Sequence, residues 1–152
     1  MPNDLEYNYG WHKEYFTTIP KSEFIQFWAP LVQDTNIDHG AIRICPGSHV
    51  SEWRGQRFIK RKRASKSYEI TEEEILKYRK ISIETNLKQI LIMHPGLIHR
   101  SGFNKSDNTR FSLVGIIHKI ENPSIRPLKP NYQFKDQTPE QYYHELFDNK
   151  KI

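Results

Sequence analysis

Residues 94–106 read HPGLIHRSGFNKS, and residues 12–14 read HKE. We interpret these two segments together. The two segments stand far apart in the chain and supply imidazoles and a carboxylate. Two imidazoles and one carboxylate form the ligand set that binds a redox-active ferrous ion while leaving coordination positions open for a co-substrate and oxygen. The pair of segments therefore indicates an oxygenase-type metal site.

Short apolar segments, separated by turn residues, run through the middle of the chain. They are rich in aliphatic and aromatic residues, as strands of a sandwich or barrel are. We predict strands at 24–29, 41–45, 89–93 and 111–117. An all-β jelly roll with one or two peripheral helices fits this order of segments.

Two capping patterns predict the helices. Thr71 with Glu74 forms a capping box before a helix that we expect to run through Lys80. A Thr-Pro-Glu-Gln segment at 138–141 repeats the pattern ahead of a second helix at 142–147. Three prolines between residues 119 and 137 indicate an extended arm leading to that helix.

Length and composition limit the class of protein. A chain of 152 residues is expected to form one domain, and no apolar run approaches the roughly 20 residues that a membrane span needs. The first residues lack a signal-peptide pattern, so we expect a cytoplasmic protein without membrane association. The single cysteine, Cys45, excludes an internal disulfide and a thiolate zinc cage, and we expect it to be buried in a strand.

The formal net charge of +5 is concentrated in one stretch, residues 54–66, which we call the basic segment. It contains Arg54, Arg57, Lys60, Arg61, Lys62, Arg63 and Lys66. Such a stretch is either a solvated loop or an attraction site for an anionic substrate or phosphate. Nucleic-acid binding is disfavoured because no recognition module accompanies the charges.

Five ordered motifs give the chain a family resemblance. They are WHKE at 11–14, FWAPL at 27–31, DHGA at 38–41, PGSH at 46–49 and the region from His94 to Arg110. In this order they resemble the phytanoyl-CoA dioxygenase family, over roughly residues 9 to 118. The resemblance implies a double-stranded β-helix fold, iron(II) as metal and 2-oxoglutarate as co-substrate, with a small-molecule substrate and molecular oxygen as further partners.

The resemblance also implies roles for individual residues. His12, Glu14 and His99 would bind the metal, with His94 in a supporting position. If residues 7–14 form the end of a strand, His12 and Glu14 share one face and Lys13 points away. Arg110 would hold the distal carboxylate of 2-oxoglutarate because a guanidinium matches a carboxylate bidentately, with Ser101 assisting. Trp28 would either flank this pocket or belong to the core.

Three features depart from the family pattern. Glutamate stands at position 14 where the family usually has aspartate, and its presence favours hydroxylation over halogenation. Leu87-Lys88-Gln89 stands where the family tends to have Gly-Asp. Only 11 residues precede His12, which indicates a truncated product, a minimal or decayed version, or a chain that closes its sheet with another copy as a homo-oligomer.

We divide the chain into an oxygenase core at 1–118, in which residues 50–85 cover the active site, and an arm with a C-terminal helix at 119–152. Two rival functions remain open at this stage. One is a non-catalytic, metal-binding remnant of the family. The other is a cupin-like metalloprotein, which would use the same fold and ligands without Arg110.

Overall fold

The computed structural model describes residues 10–14, 24–50, 56–59 and 67–119, and for 56–59 and 67–68 it describes the backbone alone. Its elements are almost all strands. They are β1 (Phe24–Pro30), β2 (Ile42–Ile44), β3 (Gln56–Ile59), β4 (Ser67–Ile70), α1 (Glu72–Leu76), β5 (Ile81–Ile83), β6 (Leu91–Met93), β7 (His99–Arg100) and β8 (Ser112–His118). The all-β class is confirmed, and the jelly-roll connectivity stays a prediction.

Two antiparallel sheets of three strands each form the body of the protein. One has the order β6-β1-β8 and the other the order β5-β2-β7, while β3 and β4 pair separately. Trp28 on β1, Met93 on β6 and Ile42 on β2 form one buried cluster. These side chains come from both sheets, so their burial joins the sheets through an apolar layer.

A second buried cluster contains Cys45, Ile70, Ile75 and Ile98, with Trp11 and Tyr78 partly buried against it. Cys45 is fully buried, as the sequence predicts. Ile70 ends β4 and Ile75 lies in α1, so this cluster attaches the β4–α1 region to the segments that flank β2 and β7. The β3–β4 pair was not predicted, because charged residues interrupt the apolar pattern of the basic segment.

Helix α1 begins where the sequence predicts and ends earlier. The Thr71 side chain accepts a hydrogen bond from the Glu74 amide at 3.4 Å, which confirms the N-cap. The helix stops at Leu76 rather than Lys80, because the chain must extend again to pair β5 with β2 from Ile81 onward. The capping box is half formed, since the Glu74 carboxylate instead accepts hydrogen bonds from the side chains of Lys77 and Tyr78.

Several predicted features lie outside the described residues. They are the second helix, the arm from residue 120 onward and the part of the basic segment other than residues 56–59. Within the described part of the chain, no helix is both long enough and apolar enough to cross a bilayer.

Candidate metal centre

The two predicted histidine ligands lie side by side in neighbouring extended segments. His12 and His99 form an isolated antiparallel bridge, with a 3.0 Å hydrogen bond from each backbone N–H to the other residue's carbonyl. His99 begins a short strand of its own, β7, six residues after β6 ends. This backbone pairing brings the two imidazole rings to a centroid separation of 4.4 Å.

Glu14 joins the histidines because alternate residues of an extended chain share one face. Its backbone N–H donates to the Pro95 carbonyl at 3.0 Å, which fixes the segment against the loop before β7. The Glu14 Oε1 atom lies 3.2 Å from His12 Nε2 and 3.6 Å from His99 Nε2. Only His12 forms a sheet-like bridge within residues 10–14, so the strand predicted there is reduced to a single paired residue.

The donor atoms are spaced as ligands of one ion would be. Within the described part of the chain, His12, Glu14 and His99 form a group whose ligand atoms all lie within 4.8 Å of one another. Adjacent ligands at about 2.1 Å from a metal lie roughly 3.0 Å apart in octahedral geometry and 3.4 Å apart in tetrahedral geometry. The observed separations of 3.2 and 3.6 Å lie on either side of the tetrahedral value and above the octahedral one. The donor set therefore fits an ion such as iron(II), which accepts two imidazoles and a carboxylate.

Both imidazoles are oriented by a backbone carbonyl two residues earlier in the chain. His12 Nδ1 lies 2.7 Å from the Gly10 oxygen, and His99 Nδ1 lies 2.9 Å from the Leu97 oxygen. A carbonyl can only accept, so each Nδ1 carries a proton and each Nε2 presents a lone pair when the ring is neutral. This arrangement is typical of metal-binding histidines, whose second nitrogen donates to a carbonyl or carboxylate.

The electrostatics favour a charged carboxylate between the two rings. Burial acts to raise the pKa of Glu14, but hydrogen bonds and attraction from His12 and His99 outweigh it and hold the pKa well below its ordinary value. For His12, burial acts to lower the pKa, and the adjacent Glu14 carboxylate raises it above the ordinary value. A proton and a metal cation therefore compete for the same Nε2 atom.

Lys13 points away from the metal ligands, as alternation along the chain predicts, yet it is buried rather than exposed. Its side chain is 3 % exposed, and its Nζ donates to the Ser48 carbonyl at 3.4 Å. Burial lowers the pKa of Lys13, with partial compensation from the Glu74 carboxylate. Ser48 lies in a short 3-10 helix that begins in the predicted Pro-Gly-Ser-His turn, and its hydroxyl accepts the Ile98 N–H at 2.8 Å. The turn therefore supports the residue that precedes His99.

Arg110 and Ser101 are also brought together. One guanidinium nitrogen of Arg110 donates to the Ser101 hydroxyl at 3.1 Å, and another donates to the Gly40 carbonyl. Gly40 has a φ of +78°, and a Cβ there would lie 3.0 Å from the Arg110 guanidinium, so glycine suits both the turn and the contact. Burial lowers the pKa of Arg110, but a guanidinium stays charged in proteins.

Trp28 lies in the buried core cluster and is 3 % exposed. Of the two roles that the sequence left open for this residue, pocket wall and core, the contacts favour the core. His94 is exposed, and its Nδ1 accepts the Gly96 N–H at 3.0 Å, so it shapes the loop before β7 and does not join the donor group.

Comparison with known families agrees with this geometry. The family model described as phytanoyl-CoA dioxygenase (PhyH) matches residues 6–112, which is more than two-thirds of the chain. The chain belongs to the phytanoyl-CoA dioxygenase family. Members of this family are generally oxygenases that use iron(II) and 2-oxoglutarate. No protein with curated annotation matches the chain.

Three backbone carbonyl groups at the site were not predicted from the sequence. The oxygens of Gly10 and Leu97 orient the histidines, and the oxygen of Gly40 holds Arg110. Every residue has a carbonyl, so no side-chain pattern marks these positions. The glycine in the Asp-His-Gly-Ala motif gave the single hint, since glycine permits close backbone approach.

Proposed function

We propose that the chain is an iron(II)- and 2-oxoglutarate-dependent dioxygenase that hydroxylates a small organic substrate. One observation carries this proposal. The Nε2 atoms of His12 and His99 converge on the Glu14 carboxylate while a backbone carbonyl holds each Nδ1. Membership of the phytanoyl-CoA dioxygenase family supports the same chemistry.

Each residue of the centre has a distinct part in the proposal. His12, Glu14 and His99 would hold iron(II). Two neutral imidazoles and one carboxylate would leave a net positive charge at the ion, which would attract the keto-acid end of the co-substrate. When bound with 2-oxoglutarate and oxygen, the ion supplies oxidative decarboxylation of the co-substrate coupled to hydroxylation of the substrate. The carbonyls of Gly10 and Leu97 would keep both imidazoles in the ligating tautomer.

Arg110 would bind the distal carboxylate of 2-oxoglutarate. It is half-buried, and its contacts with Gly40 and Ser101 hold the guanidinium in one orientation. A fixed guanidinium loses less conformational entropy on binding than a mobile one, and it presents a planar pair of donors to a carboxylate. The Ser101 hydroxyl would then donate to the same carboxylate.

The substrate is proposed to be small and anionic, because the basic segment is part of the predicted active-site cover at residues 50–85. Oxygen as co-reactant and a cytoplasmic location belong to the same proposal. The proposal includes a homo-oligomer, in which a second copy of the chain closes the sheet.

Two measurements test the metal centre. Calorimetry of the chain with Mn(II), which prevents turnover, should give metal binding that His99→Ala abolishes. His94→Ala is the matched control, because His94 lies five positions away in the same stretch and should leave metal affinity unchanged. Metal binding that survives in His99→Ala would overturn the assignment of the ligands.

Succinate release measured with Fe(II), 2-oxoglutarate and a panel of metabolites tests the reaction itself. A substrate-dependent increase in succinate is expected. Metal binding without any 2-oxoglutarate affinity at millimolar concentration would instead identify a metal-binding remnant of the family or a cupin-like protein.

A further inference from the structure

A cavity lies on the face of the β5-β2-β7 sheet that is opposite to the predicted ligand His99. Arg43 pairs with Arg100, and the next pair along the same strands joins Ile44 with His99. Successive residues of a strand point to opposite faces, so the two arginines project away from the face that carries the His99 ring. Together with Trp11 they line a cavity of about 380 Å³, a size within the usual range of small-molecule sites.

The two arginines form an unusual cross-strand pair. Like charges directly opposite each other on one face of a sheet are destabilising. Trp11 relieves part of this repulsion, because the guanidinium carbons of Arg43 and Arg100 lie 5.6 Å and 5.8 Å from the centroid of its ring. An aromatic face attracts cations without carrying a formal negative charge.

Among the described residues of the lining, three cations stand against two carboxylates. Lys80 adds a third cation, while Glu69 and Glu72 contribute the two carboxylates. Glu69 lies at the Gly10 end of the cavity, where its Oε1 accepts the Gly10 N–H at 3.2 Å. Gly10 suits this approach, since a Cβ at that position would overlap the Glu69 carboxyl group.

We infer that this cavity binds a small molecule through an oxyanion, a carboxylate or a phosphate, held by Arg43 and Arg100 on the face of the sheet opposite to His99. Guanidinium groups match such oxyanions with paired donors, and an anion between two arginines is attracted by both. The site is separate from Arg110, whose guanidinium contacts Gly40 and Ser101. It therefore does not depend on the proposed dioxygenase function.

Nuclear magnetic resonance titration of the full chain locates the site. The probes are sodium phosphate and sodium acetate, each added at constant ionic strength against sodium chloride. Saturable shifts of the Gly10, Trp11 and Arg43 amides are expected with one or both anions. Phosphate alone would indicate a phosphorylated ligand, acetate alone would indicate a carboxylate, and a response to both would indicate an oxyanion site of broad selectivity.

Charge-removing variants make the test specific. Arg43→Gln and Lys80→Gln should each weaken anion binding, Arg43→Gln by roughly tenfold because it removes a charged hydrogen-bond donor. Arg79→Gln is the matched control, since Arg79 is exposed, adjacent in sequence to Lys80 and absent from the lining. Arg110→Ala should leave the shifts at the cavity unchanged.

Three results would overturn the inference. The first is a response to phosphate and acetate no different from that to chloride, up to about 50 mM, where even weak sites fill. The second is unchanged anion affinity in both Arg43→Gln and Lys80→Gln, where Lys80→Gln serves as the test if Arg43→Gln fails to fold. The third is an equal loss of affinity in Arg79→Gln, which would indicate a general charge effect.

Discussion

Replacing Arg110 with alanine separates an oxygenase from a protein that merely binds metal. The guanidinium is half-buried and already oriented by Gly40 and Ser101, and in the proposed role its loss would leave the distal carboxylate of 2-oxoglutarate without a charged partner. Loss of one member of such a pair typically costs about 2 to 5 kcal/mol, so the affinity for 2-oxoglutarate should fall roughly thirty-fold or more. Metal affinity should be unchanged, because Arg110 is not a ligand.

The assay is calorimetric titration of the Mn(II)-loaded chain with 2-oxoglutarate. Ser101→Ala removes a neutral hydrogen-bonding group worth about 0.5 to 1.5 kcal/mol, so its effect should be no more than roughly tenfold. Arg79→Ala, an exposed arginine far from any metal ligand in sequence, should bind like the parent. Thermal unfolding identifies any variant that loses 2-oxoglutarate merely because it is unfolded. Equal affinity in folded Arg110→Ala and the parent would refute the role of Arg110 and the dioxygenase proposal with it.

Three further perturbations test other parts of the molecule. Ser48→Ala leaves the buried Ile98 N–H without an acceptor, so urea unfolding should show a loss of about 1 to 3 kcal/mol, and unchanged stability would contradict that hydrogen bond. Hydrogen bonds from neighbouring side chains outweigh burial and lower the pKa of Glu74, so its stabilising contribution is present above the unfolded pKa and is lost as the pH falls through the folded pKa. Unfolding midpoints of Glu74→Gln should therefore depend less on pH in the acid range than those of the parent. Neutralising Arg61, Lys62 and Arg63 of the basic segment together should raise the substrate KM and leave the affinity for 2-oxoglutarate unchanged. Equal kinetics in this variant and the parent would indicate that the segment is a solvated loop.

Four of the six strands of the two sheets, β1, β2, β6 and β8, could be predicted, because apolar and β-branched residues mark them in the sequence. The predicted strands at 24–29 and 111–117 match β1 and β8 within one residue at each end, since apolar and β-branched residues mark them clearly. β7 escaped prediction, because two residues, His99 and Arg100, are too few to carry any periodicity. Its existence depends on pairing with β2, which local sequence does not encode.

The candidate site likewise has features that could be predicted from the sequence and features that could not. The ligand types and the face shared by His12 and Glu14 follow from residue chemistry and the two-residue period of extended chain. The backbone pairing of His12 with His99 could not be predicted, because it joins segments from opposite ends of the matched region. The burial of Lys13 likewise depends on a segment far away in sequence, since its Nζ donates to the Ser48 carbonyl.

The pairing of His12 with His99 also sets the order in which the chain can become functional. A ribosome delivers residue 12 first, and every strand from β1 to β6 must emerge before residue 99 can reach it. The nascent chain therefore carries an unmatched histidine and carboxylate for most of its synthesis, too few donors to retain iron firmly. Closing so long a loop is a late event in folding. In the proposed function, iron would be acquired only after β7 leaves the ribosome, and a transcript that ends before that point would lack His99, one of the three predicted ligands.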